Sequence, residues 1–145
     1  MPRLRENGNL SVGHGCWGEA VACEFLRARG YEIFERNATP CARDRRLEID
    51  VVAYERESDT LVFVEVKQHK AVSEFGTRLR SVDKRKLRNL KLAFNAWRRT
   101  NRWENGYRFD VIEIYGSPET GVKGIDHVES VRLFNDNDKH VNWRS

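Results

Sequence analysis

Apolar residues recur along the chain at the two spacings typical of helices and strands. Over residues 17–29 and 84–99 they fall every three to four positions, which predicts two amphipathic helices, the first ended by Gly30. Short runs rich in valine, isoleucine and aromatic residues predict strands at 31–36, 47–54, 61–67 and 108–115. The predicted order is α-β-β-β-α-β, which is typical of an α/β domain with a mixed sheet flanked by helices.

Polar segments separate the predicted elements. Residues 55–60 have the length of a hairpin loop, and residues 117–124 form a turn-rich connection. We expect one folded domain over residues 13–134, with a flexible N-terminal segment at 1–12 and a polar C-terminal tail at 135–145.

The composition is that of a soluble protein with reduced cysteines. Charged residues make up 33% of the 145 residues, and the mean hydropathy is −0.71. No apolar run is long enough to span a membrane, and residues 1–13 contain no apolar stretch typical of a secretion signal. The three cysteines are an odd number without a CxxC pair, which argues against a disulfide framework. We therefore expect a cytoplasmic protein with no membrane partner.

Basic residues are concentrated in one part of the chain. The net charge is +4, but residues 78–102 hold ten basic residues and one acidic residue, a local charge of +9. A solvated helix face would normally include acidic partners for its basic residues, and this segment has almost none. A positive potential of this size attracts a polyanion. We expect phosphates of a nucleic acid to be bound by Arg78, Arg80, Lys84, Arg85, Lys86, Arg88 and Lys91.

Charged side chains interrupt the second and third predicted strands. Because strand side chains alternate between faces, Glu65 and Lys67 share one face, and Asp50 shares a face with Glu48. The same alternation places Ile49 on the opposite face of its strand, together with Val51. If the two strands pair, Asp50 and Glu65 converge.

Two carboxylates and a lysine at one point suit a hard cation and phosphate chemistry. Mg²⁺, or Mn²⁺ in its place, is held by few carboxylates and keeps several waters. The cation would activate a bound water, which Lys67 would orient. The alternative is an ordinary amphipathic strand with a charged solvent face. Residues 62–64 are apolar on both faces, which indicates a covered strand whose polar end is costly unless it binds something.

Glu19 is a third candidate carboxylate. It falls in the first turn of the helix predicted at 17–29, where the positive end of the helix dipole favours an anion. Stabilisation of the helix start is therefore a sufficient alternative role for Glu19.

Residues 13–18 spell GxGxxG, followed by a predicted helix and strand, and this is a formal match to the dinucleotide-binding fingerprint. That fingerprint requires a buried strand before its first glycine. The preceding residues, 6–12, are poor in strand-forming residues. Binding of a nucleotide cofactor through Gly13–Gly18 is therefore a remote alternative. The histidines and cysteines show no zinc-ligand spacing.

The chain resembles the bacterial YraN family from about residue 13 to residue 134. The resemblance is carried, in order along the chain, by residues 15–19, 22, 26, 30–31, 36–37, 48–50, 62–67, 86, 90, 108–110 and 125–127. That family is uncharacterised and belongs to the restriction-endonuclease-like superfamily, whose signature is written PD-(D/E)xK. Archaeal Holliday-junction resolvases are among its relatives.

The resemblance implies a restriction-endonuclease-like fold and a nuclease site. In such a site Asp50 and Glu65 bind the metal, Glu19 completes the acidic set, and Lys67 is the signature lysine. Gln68 stands where some members carry a polar active-site residue. The expected function is a metal-dependent endonuclease, a phosphodiester hydrolase acting on DNA, branched or structured DNA included, with a homodimer suggested by analogy. The alternative is a non-catalytic nucleic-acid-binding or DNA-processing accessory protein.

The sequence also departs from the superfamily pattern. Ile49 replaces proline before Asp50, and Gln68 and His69 replace the usual Thr-Arg pair after the lysine. The acidic residues and the lysine remain intact, whereas substrate contacts by the segment after the lysine are put in doubt.

Overall fold

The computed structural model describes residues 14–41, 43–44, 47–70, 81–82, 84–131 and 141–142. Within these residues the chain forms two helices and seven strands. In chain order they are α1 (His14–Ala28), β1 (Tyr31–Ala38), β2 (Ile49–Glu55), β3 (Thr60–His69), β4 (Ser81–Val82), α2 (Lys84–Thr100), β5 (Tyr107–Ser117), β6 (Gly121–Val128) and β7 (Val141–Asn142).

The predicted α-β-β-β-α-β order is confirmed, with two corrections. Residues 121–124 were expected in a turn, but they begin β6, which pairs with β5. Pairing with a long neighbouring strand overrides the weak strand propensity of Gly121 and Gly124. The first helix begins at His14 rather than at residue 17, because the apolar stripe marks only the part of the helix that packs on the sheet.

Five strands form one mixed sheet in the order β1-β2-β3-β5-β6. All neighbours are antiparallel except β3 and β5, which run parallel and are connected through α2. This arrangement agrees with the predicted restriction-endonuclease-like α/β fold. A β-bulge between Ile33 and Glu35 shifts the register of β1 against β2.

The sheet separates two hydrophobic layers. Ala22 and Leu26 of α1 pack on one face against Val62 and Val64. On the other face α2 packs through Phe94, whose ring stacks on Phe63 with centroids 4.3 Å apart. Residues 62–64 are buried, as predicted for a strand covered on both faces, and Leu61 before them is buried as well. The sheet is therefore a rigid support for the polar residues at the end of β3.

The prediction that Ile49 and Val51 share one face of the sheet is wrong. Ile49 packs in the layer of α2, whereas Val51 packs in the layer of α1. Ile49 is the first residue of β2, where the regular pleat begins. The alternation of side chains along β2 therefore does not define the face on which Asp50 lies, and the contacts of Asp50 define it instead.

A buried ion network connects β5, β6 and β1. The Asp110 carboxylate is fully buried and accepts hydrogen bonds from Arg108 at 3.0 Å and from the Ser130 backbone N–H at 3.0 Å. His127 lies 2.8 Å from its other oxygen. Arg108 also donates to the Tyr31 hydroxyl. Both edge strands, β1 and β6, are thereby linked to β5.

The two ends of the chain are only partly described. Residues 1–13 lie outside the described residues, so the flexible N-terminal segment stays a prediction. In the predicted tail at 135–145, Val141 and Asn142 pair with Val82 and Ser81 in a small second sheet.

No helix in the described ranges is both long and apolar enough to cross a bilayer.

Candidate functional site

A cleft of about 330 Å³ opens between the β2–β3 hairpin and the first turns of α2. Its acidic wall is formed by Glu48, Asp50 and Glu65 from the hairpin. The opposite wall comes from α2 and contains Arg85, Lys86, Asn89 and Leu90. Carboxylates and cationic groups thus line the same cleft.

Strand pairing brings Asp50 and Glu65 together. Val51 lies opposite Val64 in the antiparallel ladder, so that Asp50 and Glu65 follow as the next opposed residues. Oδ2 of Asp50 accepts a hydrogen bond of 2.8 Å from the Val66 backbone N–H. The short loop at 56–59 produces this register, and the alternation of the strands selects the side chains.

The Asp50 carboxyl is poised between its two protonation states. Burial and the nearby Glu65 raise the pKa of Asp50 to about 7, although the Val66 hydrogen bond opposes this shift. Glu19 and Glu48 make smaller contributions to this raised pKa, because each additional negative charge disfavours ionisation. Carboxylates crowded in this way attract a cation.

Two lysines meet the Glu65 carboxylate. Nζ of Lys86 lies 3.0 Å from Oε1 of Glu65, and Nζ of Lys67 lies 3.5 Å from the same oxygen. Burial and the neighbouring Lys86 lower the pKa of Lys67. Burial lowers the pKa of Lys86, but the contributions of Glu65, Lys67 and Asp50 together outweigh burial, and the net pKa of Lys86 is raised.

Glu19 approaches this group from α1. Because α1 begins at His14, Glu19 lies beyond the first turn, and a role at the helix start does not apply. Burial raises the pKa of Glu19, while a hydrogen bond with Asn37 and the charge of Arg36 oppose the shift. Glu65 contributes to the raised pKa of Glu19, so their carboxylates interact electrostatically.

Gln68 lies on the other face of the sheet from Lys67. Its side chain packs against Gly18 of α1, where an added Cβ would come within 2.5 Å of the Gln68 Oε1. The alternation of β3 therefore directs Gln68 into the α1 layer. Gln68, Lys67 and Glu19 are not among the residues that line the cleft, but Lys67 contacts Glu65 and Glu19 interacts electrostatically with Glu65.

The predicted phosphate-binding residues are distributed over the start of α2 and the segment before it. Arg78 and Arg80 lie outside the described residues, and Lys84 is described only as the first residue of α2. Arg85 and Lys86 line the cleft. Arg88 and Lys91 are exposed on the helix.

The glycine fingerprint has a structural explanation. Gly15 and Gly18 lie inside α1, and the strand that follows, β1, pairs antiparallel with β2. A dinucleotide-binding unit requires parallel strands around its helix. Gly18 permits the close approach of Gln68, so the motif requires no cofactor to explain it.

Several residues of the site were not selected from the sequence. Glu48 was placed beside Asp50 but was not assigned a role, and it lines the cleft. Asn37 and Arg36, near the end of β1, lower the pKa of Glu19 through a hydrogen bond and a positive charge. Beyond Lys67, Nε2 of His69 lies 3.0 Å from the buried Glu113 carboxylate. Glu113 could have been selected from the sequence, because it is a charged residue within the apolar run of β5.

The donor set fits a hard cation with few protein ligands. In the described ranges, no three side chains of histidine, cysteine, aspartate or glutamate are grouped closely enough to hold a metal ion. Asp50 and Glu65 remain as an adjacent pair of oxygen donors. Mg²⁺ is commonly bound by one or two carboxylates together with waters, so this pair is compatible with it.

Comparison with known proteins places the chain in a family. The model of the uncharacterised protein family UPF0102 matches residues 18–114. A UPF0102 protein of Syntrophomonas wolfei is 37% identical over 115 residues, which cover 79% of this chain and 92% of the relative. One from Geotalea daltonii is 36% identical over 125 residues, 86% of this chain and 91% of the relative. The chain therefore belongs to the uncharacterised family UPF0102, the YraN family that its sequence resembles.

Proposed function

We propose that this protein is an endonuclease that hydrolyses phosphodiester bonds in DNA with Mg²⁺ or Mn²⁺ as its cofactor. The observation that carries the proposal is the cleft in which Asp50 and Glu65 face Arg85 and Lys86. Metal-dependent hydrolysis of a phosphodiester uses acidic groups that hold a hard cation and basic groups that bind phosphate in one place. The cleft supplies both.

Asp50 and Glu65 would hold the metal ion, and Glu19 would add a third negative charge from α1. A cation bound there would lower the pKa of a bound water and offset charge on the phosphate. The pKa of about 7 for Asp50 means that ion binding displaces a proton when the pH is near neutral.

Lys67 would act on the reacting groups themselves. Its ammonium lies beside Glu65 with a side chain that is 33% exposed, so it is partly removed from water. A desolvated cation at this position would orient the attacking water and stabilise the charge that develops on the phosphate. The lowered pKa of Lys67 agrees with its desolvation.

DNA would be held by the basic face of α2. Arg85 lines the cleft, and Arg88 and Lys91 continue the positive surface along the helix. Because the resemblance includes resolvases, branched DNA is the substrate to test first. Two symmetric cuts in a four-way junction require two sites, so we extend the proposal to a homodimer.

A second candidate is a non-catalytic nucleic-acid-binding or DNA-processing accessory protein. The contact between Lys86 and Glu65 favours it, because a carboxylate that is permanently paired with lysine needs no metal ion. The two candidates differ in whether the cleft hydrolyses the DNA that it binds.

The test is cleavage of supercoiled plasmid and of a four-way junction in Mg²⁺, Mn²⁺ or EDTA. We expect metal-dependent cleavage that is lost in Asp50→Asn and in Lys67→Ala, with DNA binding largely retained in both. Glu57→Gln is the matched control, because Glu57 lies exposed in the loop of the same hairpin. Cleavage that survives Asp50→Asn would point to a contaminating nuclease. Binding without cleavage in every metal would favour the accessory protein.

A further inference from the structure

One carboxylate oxygen of the candidate site is already neutralised by cations of the protein. The Nζ atoms of Lys86 and Lys67 lie 3.0 Å and 3.5 Å from Oε1 of Glu65. The Glu65 side chain is only 12% exposed, so little water competes for this oxygen. A metal ion approaching Glu65 therefore meets positive charge.

The two lysines differ in how freely they can leave. Lys67 belongs to β3, which is held between β2 and β5 in the middle of the sheet. Lys86 comes from the opposite wall of the cleft, and its side chain is 41% exposed. A lysine side chain is long and flexible, with a compact charge at its end. Lys86 can thus swing away from Glu65 without any change in the core.

We infer that the Lys86 ammonium occupies the cation position at Glu65 in the free protein and transfers to a DNA phosphate when DNA enters the cleft. The inference rests on the proposed function and adds to it a coupling between DNA binding and metal binding. DNA that draws Lys86 away leaves Glu65 available to a metal ion. The metal ion then binds beside Glu65, and Lys86 binds phosphate, only when substrate is present.

The composition of α2 supports this exchange. Its sequence, KRKLRNLKLAFNAWRRT, contains no acidic residue, so Lys86 has no counter-charge on its own helix. The acidic wall of the cleft therefore provides its partner in the free protein. Arg85 lines the same cleft, so a phosphate that enters meets two adjacent cations of the helix.

The exchange requires DNA and metal ion to strengthen each other's binding. DNA attracts the Lys86 ammonium away from Glu65, and the metal ion takes its place there. By linkage, the factor by which DNA raises the metal affinity equals the factor by which metal raises the DNA affinity. Removing the Lys86 charge should weaken this coupling and strengthen metal binding to the free protein.

The test compares the full-length protein with Lys86→Met, Lys86→Arg and Arg99→Met. Arg99 is an exposed cation in the last turn of the same helix, which makes its variant a control for the loss of one charge. Binding of Mn²⁺ to each free protein is measured by electron paramagnetic resonance. Anisotropy of a labelled four-way junction is then measured at constant ionic strength in Ca²⁺ and in EDTA.

We expect Lys86→Met to bind Mn²⁺ on the order of tenfold more tightly than the unmodified protein. Lys86→Arg and Arg99→Met should stay close to the unmodified protein. Ca²⁺ should strengthen junction binding by a factor that is roughly threefold smaller in Lys86→Met. Equal Mn²⁺ affinities for the unmodified protein and Lys86→Met would overturn the exchange and leave the nuclease proposal standing. Absence of Mn²⁺ binding in all four proteins would overturn both.

Discussion

Oδ2 of Asp50 accepts the Val66 backbone N–H at 2.8 Å, so a carboxyl of β2 is held against β3 beside the Glu65 side chain. The hydrogen bond favours the ionised form of Asp50, whereas burial and Glu65 oppose it more strongly. The position is therefore costly for the stability of the metal-free protein. Such a cost is typical of sites that are arranged for binding.

Asp50→Asn should stabilise the metal-free protein at pH 8 by on the order of 2 kcal/mol. Asparagine can still accept from the Val66 N–H and carries no charge. Between pH ~4 and the folded pKa of about 7, the folded protein keeps a proton that the unfolded chain has released. The free energy of unfolding of the unmodified protein therefore falls as the pH rises through this range.

Urea unfolding in EDTA at pH 4, 6 and 8 measures this effect. The gain from Asp50→Asn should be largest at pH 8 and should disappear near pH 4. Glu57→Gln, in the exposed loop of the same hairpin, should change stability by less than ~0.5 kcal/mol. A variant that is less stable than the unmodified protein at pH 8 would contradict the proposed origin of the raised pKa.

Asp110→Asn should destabilise the protein by about 3–5 kcal/mol at pH 7, because Arg108 loses its buried counter-charge and the hydrogen bond with His127 is weakened. Burial raises the pKa of Asp110, but the hydrogen bonds from His127, Arg108 and Ser130 outweigh it, and the net pKa is lowered. The stabilisation is therefore present above the ordinary aspartate pKa and is lost as the pH falls through the lowered value.

Chemical denaturation at pH 7 and at pH 2.5 checks this prediction, since the difference between variant and unmodified protein should shrink at the acidic pH. The matched control is Glu129→Gln, because Glu129 is exposed and lies 3.9 Å from the same Arg108. The control should cost less than ~1 kcal/mol. Equal losses for the two variants would show that the burial of Asp110 contributes nothing.

Gly18→Ala should have a different effect in the presence and absence of the Gln68 side chain. Alanine is favoured over glycine in a helix by ~1 kcal/mol. In the unmodified protein the new Cβ displaces Gln68, whose Oε1 would lie 2.5 Å away, and this offsets the gain. In Gln68→Ala the gain should appear in full. Thermal unfolding of the four proteins in a double-mutant cycle measures the coupling, and identical effects in both backgrounds would rule out the packing contact.

Charge reversal on α2 should weaken DNA binding and flatten its dependence on salt. Arg88→Glu and Lys91→Glu alter exposed positions of the helix, and each lost phosphate contact should reduce the slope of log K against log salt by ~0.9. Lys123→Glu, exposed on β6, is the control and should leave the slope nearly unchanged. Anisotropy titrations from 50 to 300 mM salt, about the range in which phosphate contacts dominate, measure the slopes. Equal slopes in all variants would show that the helix is merely solvated.

The pairing of Asp50 with Glu65 was predictable, because a short polar loop and the two-residue alternation of strands both appear in the sequence. The contact between Lys86 and Glu65 was not predictable in the same way. It depends on where the crossover helix lies over the hairpin, which is decided by core contacts such as Phe94 on Phe63. The sequence identified Lys86 as one of several basic residues and as part of the family resemblance, but not as a partner of Glu65.

Two other features had no local signal. β6 contains Gly121 and Gly124 and becomes a strand through its pairing with β5. The bulge in β1 allows Glu35 to accept a hydrogen bond of 2.9 Å from the Trp97 indole N–H in the α2 layer. Periodicity alone cannot locate a register shift of this kind.

The candidate site combines a local hairpin with a helix that follows it, and we expect these parts to form at different stages of folding. Asp50 and Glu65 belong to one hairpin with a short loop, and hairpins form within ~1–10 μs. β5 reaches β3 only after the chain has passed through α2, and closing this long connection is entropically costly. We therefore expect Lys86 to reach Glu65 only when α2 packs on the hairpin, so that a chain stalled before this step presents Asp50 and Glu65 to solvent with Lys67 of the same hairpin as their nearby cation.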